Sequence, residues 1–295
     1  MNKSPILVTG ATGNVGKPVV EALVAAGMPV RAATGPSTRR TGPRTQSSLP
    51  SDRRTPVVLD FTDPATWARA YEGVERMFLL RPPHLSKPKT QMLPSLEAAK
   101  TAGVRHIVLL SLQGAEGNRF VPHAALEAWL RGSGLSWTFI RASFFMQNLT
   151  TTHCSDIRDR DEIMMPAGHG ATAFVDAVDV AAVAARALLD PEAHHSRAWT
   201  PTGPAALTYT EIAQTLSDTL GRPIRYANPG ALRYILHARR TLEMPWSMVA
   251  VTTAIYTVAR LGKADGLTED VHQVLGRDPV SFRAFAQTHA NSWQR

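Results

Sequence analysis

The chain has a single cysteine, Cys154, in 295 residues. That excludes an intramolecular disulfide framework and points to a reducing compartment, the cytoplasm. Long apolar runs are missing too. The most apolar stretch, residues 248–258, carries Thr252, Thr253 and Thr257, and a membrane span needs roughly 20 apolar residues. A helix packed in a soluble domain is expected there. No basic leader with an apolar core precedes the first strand-like run, residues 5–8, so no signal peptide is expected. Acid is scarcer than base: Lys+Arg number 32 against 24 for Asp+Glu, a net charge of +8. The arginines are scattered, without aromatic interleaving or zinc-finger spacing, so nucleic acid is not the expected partner. An anionic cofactor, or a compositional bias with no partner, is left to account for the charge.

What is present is an ordinary hydrophobic content of 44%, enough for a sizeable core. Apolar runs alternate with helical spacing. Strands are expected at residues 6–8, 29–34, 57–59, 77–80, 107–110 and 137–140. Helices are expected at 15–26, 64–71, 88–102 and 122–131, with Gly27 closing the first and residues 35–54 forming a long loop. Such alternation implies right-handed crossovers and a parallel sheet covered on both faces. The expected class is therefore α/β, a doubly wound (Rossmann) sheet with a smaller, mostly helical C-terminal substrate domain. Residues 1–150 form the first domain and 170–190 return to it. Residues 151–169 and 191–295 form the smaller region, whose clearest helix is 209–220, closed by Gly221.

Between the first strand and first helix stands Thr9-Gly10-Ala11-Thr12-Gly13-Asn14-Val15-Gly16. Gly10 permits a tight turn, Gly13 lets the backbone approach a pyrophosphate, and Gly16 allows the helix to pack on the strand. The free amides and the positive end of the helix hold phosphate charge. Gly10, Thr12, Gly13, Asn14 and Val15 are thus candidate cofactor residues. A turn that merely needs glycine is the competing explanation. The second strand, Val30-Arg31-Ala32-Ala33-Thr34, lacks the acid that would hold a free ribose 2′-hydroxyl. Arg39, Arg40 and Arg44 follow it, with Arg53 and Arg54 further on, and arginine pairs well with a 2′-phosphate. NADP(H) is the expected cofactor, with Arg39 and Arg40 favoured over Arg31 as its partners.

The Gly-x-x-Gly-x-x-Gly spacing resembles the short-chain dehydrogenase/reductase superfamily, and Val-Thr-Gly-Ala-Thr-Gly-Asn-Val-Gly its atypical NmrA-like family. Leu79-Leu80-Arg81-Pro82-Pro83 is similar to a Leu-Leu-Ser-Pro-Pro segment of that family, with Arg81 in place of a small residue. Residues 133–138 and 140–148, Phe174-Val175-Asp176 with Asp179-Val180-Ala181, and Leu275-Gly276-Arg277 with Ser281-Phe282 extend the likeness over most of the chain. It is least clear at 35–55 and 225–265. The family includes triphenylmethane-dye and quinone reductases, isoflavone-type reductases and regulators that bind NADP without turnover. The resemblance implies that Leu80, Arg81, Gln113, Ser143 and Phe144 lie along the cofactor. It also implies that Asp60 meets the adenine amine while the Phe61 backbone lines the ring. Asp60 as a helix cap is the alternative.

Ordinary reductases of the superfamily use Tyr-x-x-x-Lys. None of the five tyrosines has lysine four residues on. At the matching place stand His123 and Glu127, on one helix face. His123 is the candidate proton donor, or a hydrogen-bond partner of the cofactor; Glu127 is a structural or cofactor-side partner. Ser111, ending the fifth strand, orients a carbonyl or satisfies the strand end. As a metal pair His123 and Glu127 lack a third ligand at sensible spacing, His153, Cys154, His194 and His195 being surface-loop candidates, so no metal is expected. Phe120, Phe144, Phe145, Met146 and Trp246 either floor a site for a flat ring or pack the core. The function that fits is NADPH-dependent reduction of a carbonyl or quinone on a flat aromatic molecule, similar to the atypical ketoreductases of aromatic-polyketide antibiotic biosynthesis. A non-enzymatic NADP sensor is the rival, and an isomerase is disfavoured by the missing tyrosine. Nothing in the sequence gives an oligomeric state.

Overall fold

The computed structural model describes residues 3–35, 53–119 and 121–295. Two compact units emerge from the contacts: Met1–Ala142 with Val178–Pro201 and Gln273–Gly276, and Ser143–Ala177 with Thr202–His272 and Arg277–Arg295.

The first unit is built on seven strands. Strand β1 (Ile6–Val8) is three aliphatic residues with no exposed surface. It is flanked by β2 (Val30–Thr34) and β4 (Arg76–Leu80). The edge strand β3 (Arg54–Val58) joins β2, while β5 (His106–Leu112), β6 (Ser136–Ala142) and Arg197–Trp199 continue beyond β4. Every pairing is parallel. Burial on both faces explains the near-continuous aliphatic sequences of the central strands. The chain runs from β1 to one edge and then crosses to β4 on the other side. The order therefore reverses between β1 and β4, and the carboxyl ends of those two strands form the crevice where doubly wound sheets take ligands.

Helix α1 (Gly16–Ala25) buries Val19, Val20, Leu23 and Val24. It ends at Gly27, whose φ of +75° suits glycine. The other helices of this unit are α2 (Trp67–Tyr71), α3 (Pro88–Gln91), α4 (Leu93–Thr101) and α5 (Pro122–Gly132).

Three expectations change. The helix expected over 88–102 is two helices, broken at Met92. Pro94 has no amide hydrogen, and its ring opposes the carbonyl four residues back. Strand β3 begins at Arg54 and ends at Val58, earlier than the apolar run at 57–59 suggested. Pairing with β2 recruits Arg54-Thr55-Pro56, and an edge position tolerates the proline. The strand Arg197–Trp199, in the stretch read as part of the smaller region, pairs with Thr138-Phe139-Ile140 of β6. Its first two residues are exposed, so no apolar pattern announces it.

The second unit contains two small sheets. Ala171–Val175 pairs in parallel with Phe144–Phe145 and antiparallel with Ala206–Thr208, and Arg225–Tyr226 pairs with Glu162–Ile163. The helix at Tyr209–Leu220 matches its sequence signals. Thr208 and Glu211 form a reciprocal capping box, and Gly221 closes it at φ +65°. The core here is aromatic, centred on Phe174, Tyr209, Tyr234, Tyr256, Phe285 and Trp293. Residues 248–258 lie within the helix Trp246–Arg260, which buries Val249 and Tyr256 but leaves Val251, Ile255 and Val258 exposed. Among the described residues, no helix is long and apolar enough to cross a membrane.

Candidate active site

The glycine turn leaves β1 through Gly10 at φ +61°. The Gly13 amide donates to the Gly10 carbonyl at 2.9 Å, and the Ala11 amide to Ala33 of β2 at 3.3 Å. The three glycines differ in what requires them. A Cβ on Gly16 would stand 2.0 Å from the Gly10 carbonyl oxygen, so the fold itself demands glycine there. A Cβ on Gly13 would meet nothing closer than 3.4 Å, an ordinary contact. Thr12, Gly13 and Asn14 are exposed above the start of α1, while Ala11 and Val15 point into the core. The protein leaves the floor of the turn bare where its own packing does not need it bare.

Beside the turn, buried Thr9 ties β1 to β4. Its hydroxyl donates to the Phe78 carbonyl at 3.0 Å and accepts from the Leu80 amide at 2.7 Å. Leu80 consequently packs on Gly10, its Cδ1 being 3.2 Å from where a Cβ would sit. Arg81 comes next. Its guanidinium bends back over its own loop and donates to the carbonyls of Pro82, Pro83 and Leu85 at 2.9, 3.2 and 3.1 Å. Burial pulls its pKa down.

A buried ion network holds α5 against β5 and β6. Glu127 is 1% exposed. It accepts from the Ser111 hydroxyl at 2.7 Å, from Arg141 Nε and Nη2 at 3.1 and 2.7 Å, and from Arg131 at 3.0 Å. Arg141 also reaches Glu116 at 3.2 Å, and the Arg131 guanidinium lies 4.9 Å from the Phe139 ring centroid. Burial by itself would raise the Glu127 pKa. The hydrogen bonds from Arg141 and Ser111, with the Arg141 and Arg131 charges, hold it below the ordinary carboxylate value. Ser111 thus directs its proton to Glu127.

His123 stands in the first turn of α5, one turn before Glu127. Burial pushes its pKa down to about 4, and the Arg81 charge pushes the same way against the weaker pull of Glu127. It is neutral near pH 7. A neutral imidazole gives a hydrogen bond; it is not a ready acid.

The remaining candidates separate. Asp60 forms a local turn, accepting from the Thr62 amide and hydroxyl at 2.8 and 2.7 Å. The cap of the following helical turn is Asp63. The Phe61 side chain is in the core with Leu59 and Val57, which leaves its backbone for any ligand. Gln113 follows β5, its amide donating to Ala142 at 3.0 Å. Arg39, Arg40 and Phe120 lie outside the described residues. Arg31 is engaged by the Arg69 carbonyl and Glu72, and Arg53 by the Gly27 carbonyl at 2.7 Å.

Ser143, Phe144, Phe145, Met146 and Trp246 belong to the second unit. There Ser143 donates to the Ala173 carbonyl. Phe144 packs on Phe174 and Tyr256, with ring centroids 5.8 and 5.6 Å apart. Met146 is core, Phe145 is half-buried, and Trp246 is 65% exposed under the Arg239 guanidinium. No group of three or more His, Cys, Asp or Glu side chains among the described residues is arranged to hold a metal.

Sequence reasoning assigned no role to Thr9, Arg131 or Arg141. The i, i+4 spacing of Glu127 and Arg131 was the available signal for one of them. Arg141 meets Glu127 only through the alignment of β5 with β6, where it stands beside Ser111.

The strand order and the glycine turn at its switch point define a Rossmann-type α/β protein. The chain belongs to the NmrA-like family, which residues 2–259 match. It is 35% identical to an NAD(P)H azoreductase of Xenophilus azovorans over 97% of its own length and 98% of that protein. Two solved structures share the fold. The NADPH-dependent quinone oxidoreductase QOR2 of Escherichia coli, complexed with NADPH, superposes with a TM-score of 0.82 at 23% identity, covering 97% of this chain and 99% of that one. Triphenylmethane reductase of Citrobacter sp., complexed with NADP(H), has a TM-score of 0.80 at 24% identity, covering 96% and 99%.

Proposed function

We propose that this chain is an NADPH-dependent reductase that acts in the cytoplasm on a carbonyl or quinone of a flat aromatic molecule. The observation that carries the reading is the bare floor of the glycine turn. Gly13 has no internal reason to be glycine, yet it faces outward beside exposed backbone at the switch point of the sheet. Such a cradle fits a pyrophosphate, with Gly10, Thr12, Gly13, Asn14 and Val15 around it and Leu80 beneath. Asp60, the Phe61 backbone and Gln113 complete the cofactor side. NADP is favoured over NAD because β2 carries no acid and Arg39 and Arg40 follow it. Likeness to an NAD(P)H azoreductase supports a reductase over a protein that only binds the nucleotide.

Bound NADPH supplies a hydride. The residues of the chain supply position. Ser111, Glu127 and Arg141 fix α5 to the sheet and so fix His123. Neutral His123 offers a hydrogen bond to the acceptor oxygen, and the proton that completes reduction comes from solvent or from the acceptor. An acceptor whose developing negative charge is delocalised, as in a quinone, needs no tyrosine acid. Phe144 and Met146 pack in a core, and Trp246 lies on a surface. The test is single-turnover absorbance of NADPH mixed with protein and a panel of quinones and hydroxylated aromatic ketones. Acceptor-dependent loss of the reduced-nicotinamide band is expected. Binding of NADPH without oxidation across the panel would instead support a nucleotide-sensing protein.

A further inference from the structure

Among the described residues, ten large apolar side chains are exposed, and nine of them lie between Leu232 and Leu267 of the second unit. Single exposed apolar residues need no explanation, but nine so gathered do. Most sit on two consecutive helices, Ala231–Arg240 and Trp246–Arg260. On the second helix Met248, Val251, Ile255 and Val258 recur at three- and four-residue spacing and form one stripe, while Val249, Tyr256 and Ala259 are buried on another face. On the first helix Leu232 and Leu236 stand one turn apart. A groove of about 510 Å³, lined by Ile235 from the first helix and by Trp246, Val249 and Ala254 from the second, joins the two.

Charge distinguishes the possible occupants of this face. Residues 227–264 hold five bases, Arg233, Arg239, Arg240, Arg260 and Lys263, against one acid, Glu243. Half of the chain's net charge of +8 is therefore concentrated there, with Asp265 and Glu269 following beyond the second helix. Arg233, Arg240, Arg260 and Lys263 are exposed and make no ion pair among the described residues. Helical spacing puts Arg233 and Arg240 on one flank of Leu232 and Leu236, and Arg239 on the other. The Arg239 guanidinium lies 5.1 Å from the Trp246 ring centroid. A second copy of this chain would bring the same excess of positive charge against the face and be repelled. An anionic bilayer meets both halves of it, acyl chains for the apolar side chains and phosphates for the cations. Tryptophan is favoured at that depth.

We infer that the face formed by helices Ala231–Arg240 and Trp246–Arg260 docks on an anionic phospholipid surface. Leu232, Trp246 and the stripe through Val251 and Ile255 enter the headgroup boundary, and Arg233, Arg240 and Lys263 meet lipid phosphates. The helices lie in the plane of the interface, and the attachment is peripheral and reversible. The inference does not rest on the reductase reading, since lipid binding is measured without NADPH or an acceptor.

The test is flotation of the full-length protein with vesicles of phosphatidylcholine alone and of phosphatidylcholine with an equal part of phosphatidylglycerol. Binding to the anionic vesicles only is expected, with loss as salt rises from about 0.1 to 1 M. Each cation at such a surface favours binding by roughly fivefold. Arg233→Ser with Arg240→Ser should therefore weaken it by about tenfold or more. Arg105→Ser, which removes an exposed cation of the first unit, should stay within about twofold of the parent. Leu232 and Trp246 are 79% and 65% exposed, so Leu232→Ser with Trp246→Ser should keep a melting temperature near the parent's. At unchanged charge that pair should still weaken binding by about tenfold or more. Equal binding to both vesicles, binding to neither, or a loss from Arg105→Ser as large as from the Arg233 and Arg240 pair overturns the proposal. So does a dimer in sedimentation equilibrium that Leu232→Ser with Trp246→Ser dissociates, since a second copy would then cover the face.

Discussion

The two units bury polar groups in opposite ways. In the first, charge is gathered into one network around Glu127, joining residues from β5, α5 and β6, and the two unpaired atoms that remain among the described residues belong to Arg81 and His123. In the second, polar atoms are scattered through an aromatic core. His153 bonds the Tyr256 hydroxyl at 2.7 Å, and His237 bonds Asp156 at 2.8 Å. The first arrangement ties α5 to β5 and β6. The second fills volume with large rings and accommodates its polar atoms locally.

Breaking the network should give the largest effect. Glu127→Gln leaves Arg141 and Arg131 without their carboxylate, and losing one partner of a buried ion pair costs about 3–5 kcal/mol. Urea unfolding should register it. A loss similar to that of an exposed ion pair would mean the network does not hold the sheet edge. Gly16→Ala is next. The 2.0 Å approach to the Gly10 carbonyl forces backbone to move, at about 1–3 kcal/mol, and a melting temperature equal to the parent's would contradict that packing.

Acid sharpens the comparison, because both units contain buried neutral histidines. Burial pushes His106, His123 and His153 down to about 4, against roughly 6.5 when unfolded. Between those values the unfolded chain binds protons that the folded chain does not. Stability should therefore fall as pH drops from about 6.5 toward 4, with uptake of roughly three protons on unfolding. Urea midpoints that stay flat over that window would show that these rings are not held neutral. The smallest effect is expected at Trp246→Ser, below about 1 kcal/mol, since that ring is exposed and rests only under Arg239. A larger loss would mean that the surface of the second unit carries more of its stability than its core suggests.

The same contrast explains what could be read in advance. The first unit was legible because its strands and α1 are local patterns, and because backbone geometry dictates residue type at Gly10, Gly16 and Gly27. His123 and Glu127 were found by their spacing on one helix face. Their environments were not legible. Glu127 acquires its partners through Ser111 and Arg141, on two adjacent strands, and His123 loses its charge through burial near Arg81. In the second unit, Phe144 and Met146 have the composition of a substrate floor but pack against Phe174 and its neighbours in the core. Aromatic residues satisfy either role, and only tertiary contacts decide between them. Strand Arg197–Trp199 escaped notice for a related reason, since it is defined by its pairing with β6 rather than by its own pattern.

The central claim is that the turn at Gly13 is bare for a ligand rather than for the fold. Gly13→Val tests it in one protein by thermal unfolding and NADPH titration together. A melting temperature close to the parent's, with NADPH affinity lowered by about a hundredfold or more, is the expected result. Unchanged NADPH affinity in a normally folded Gly13→Val protein would contradict it.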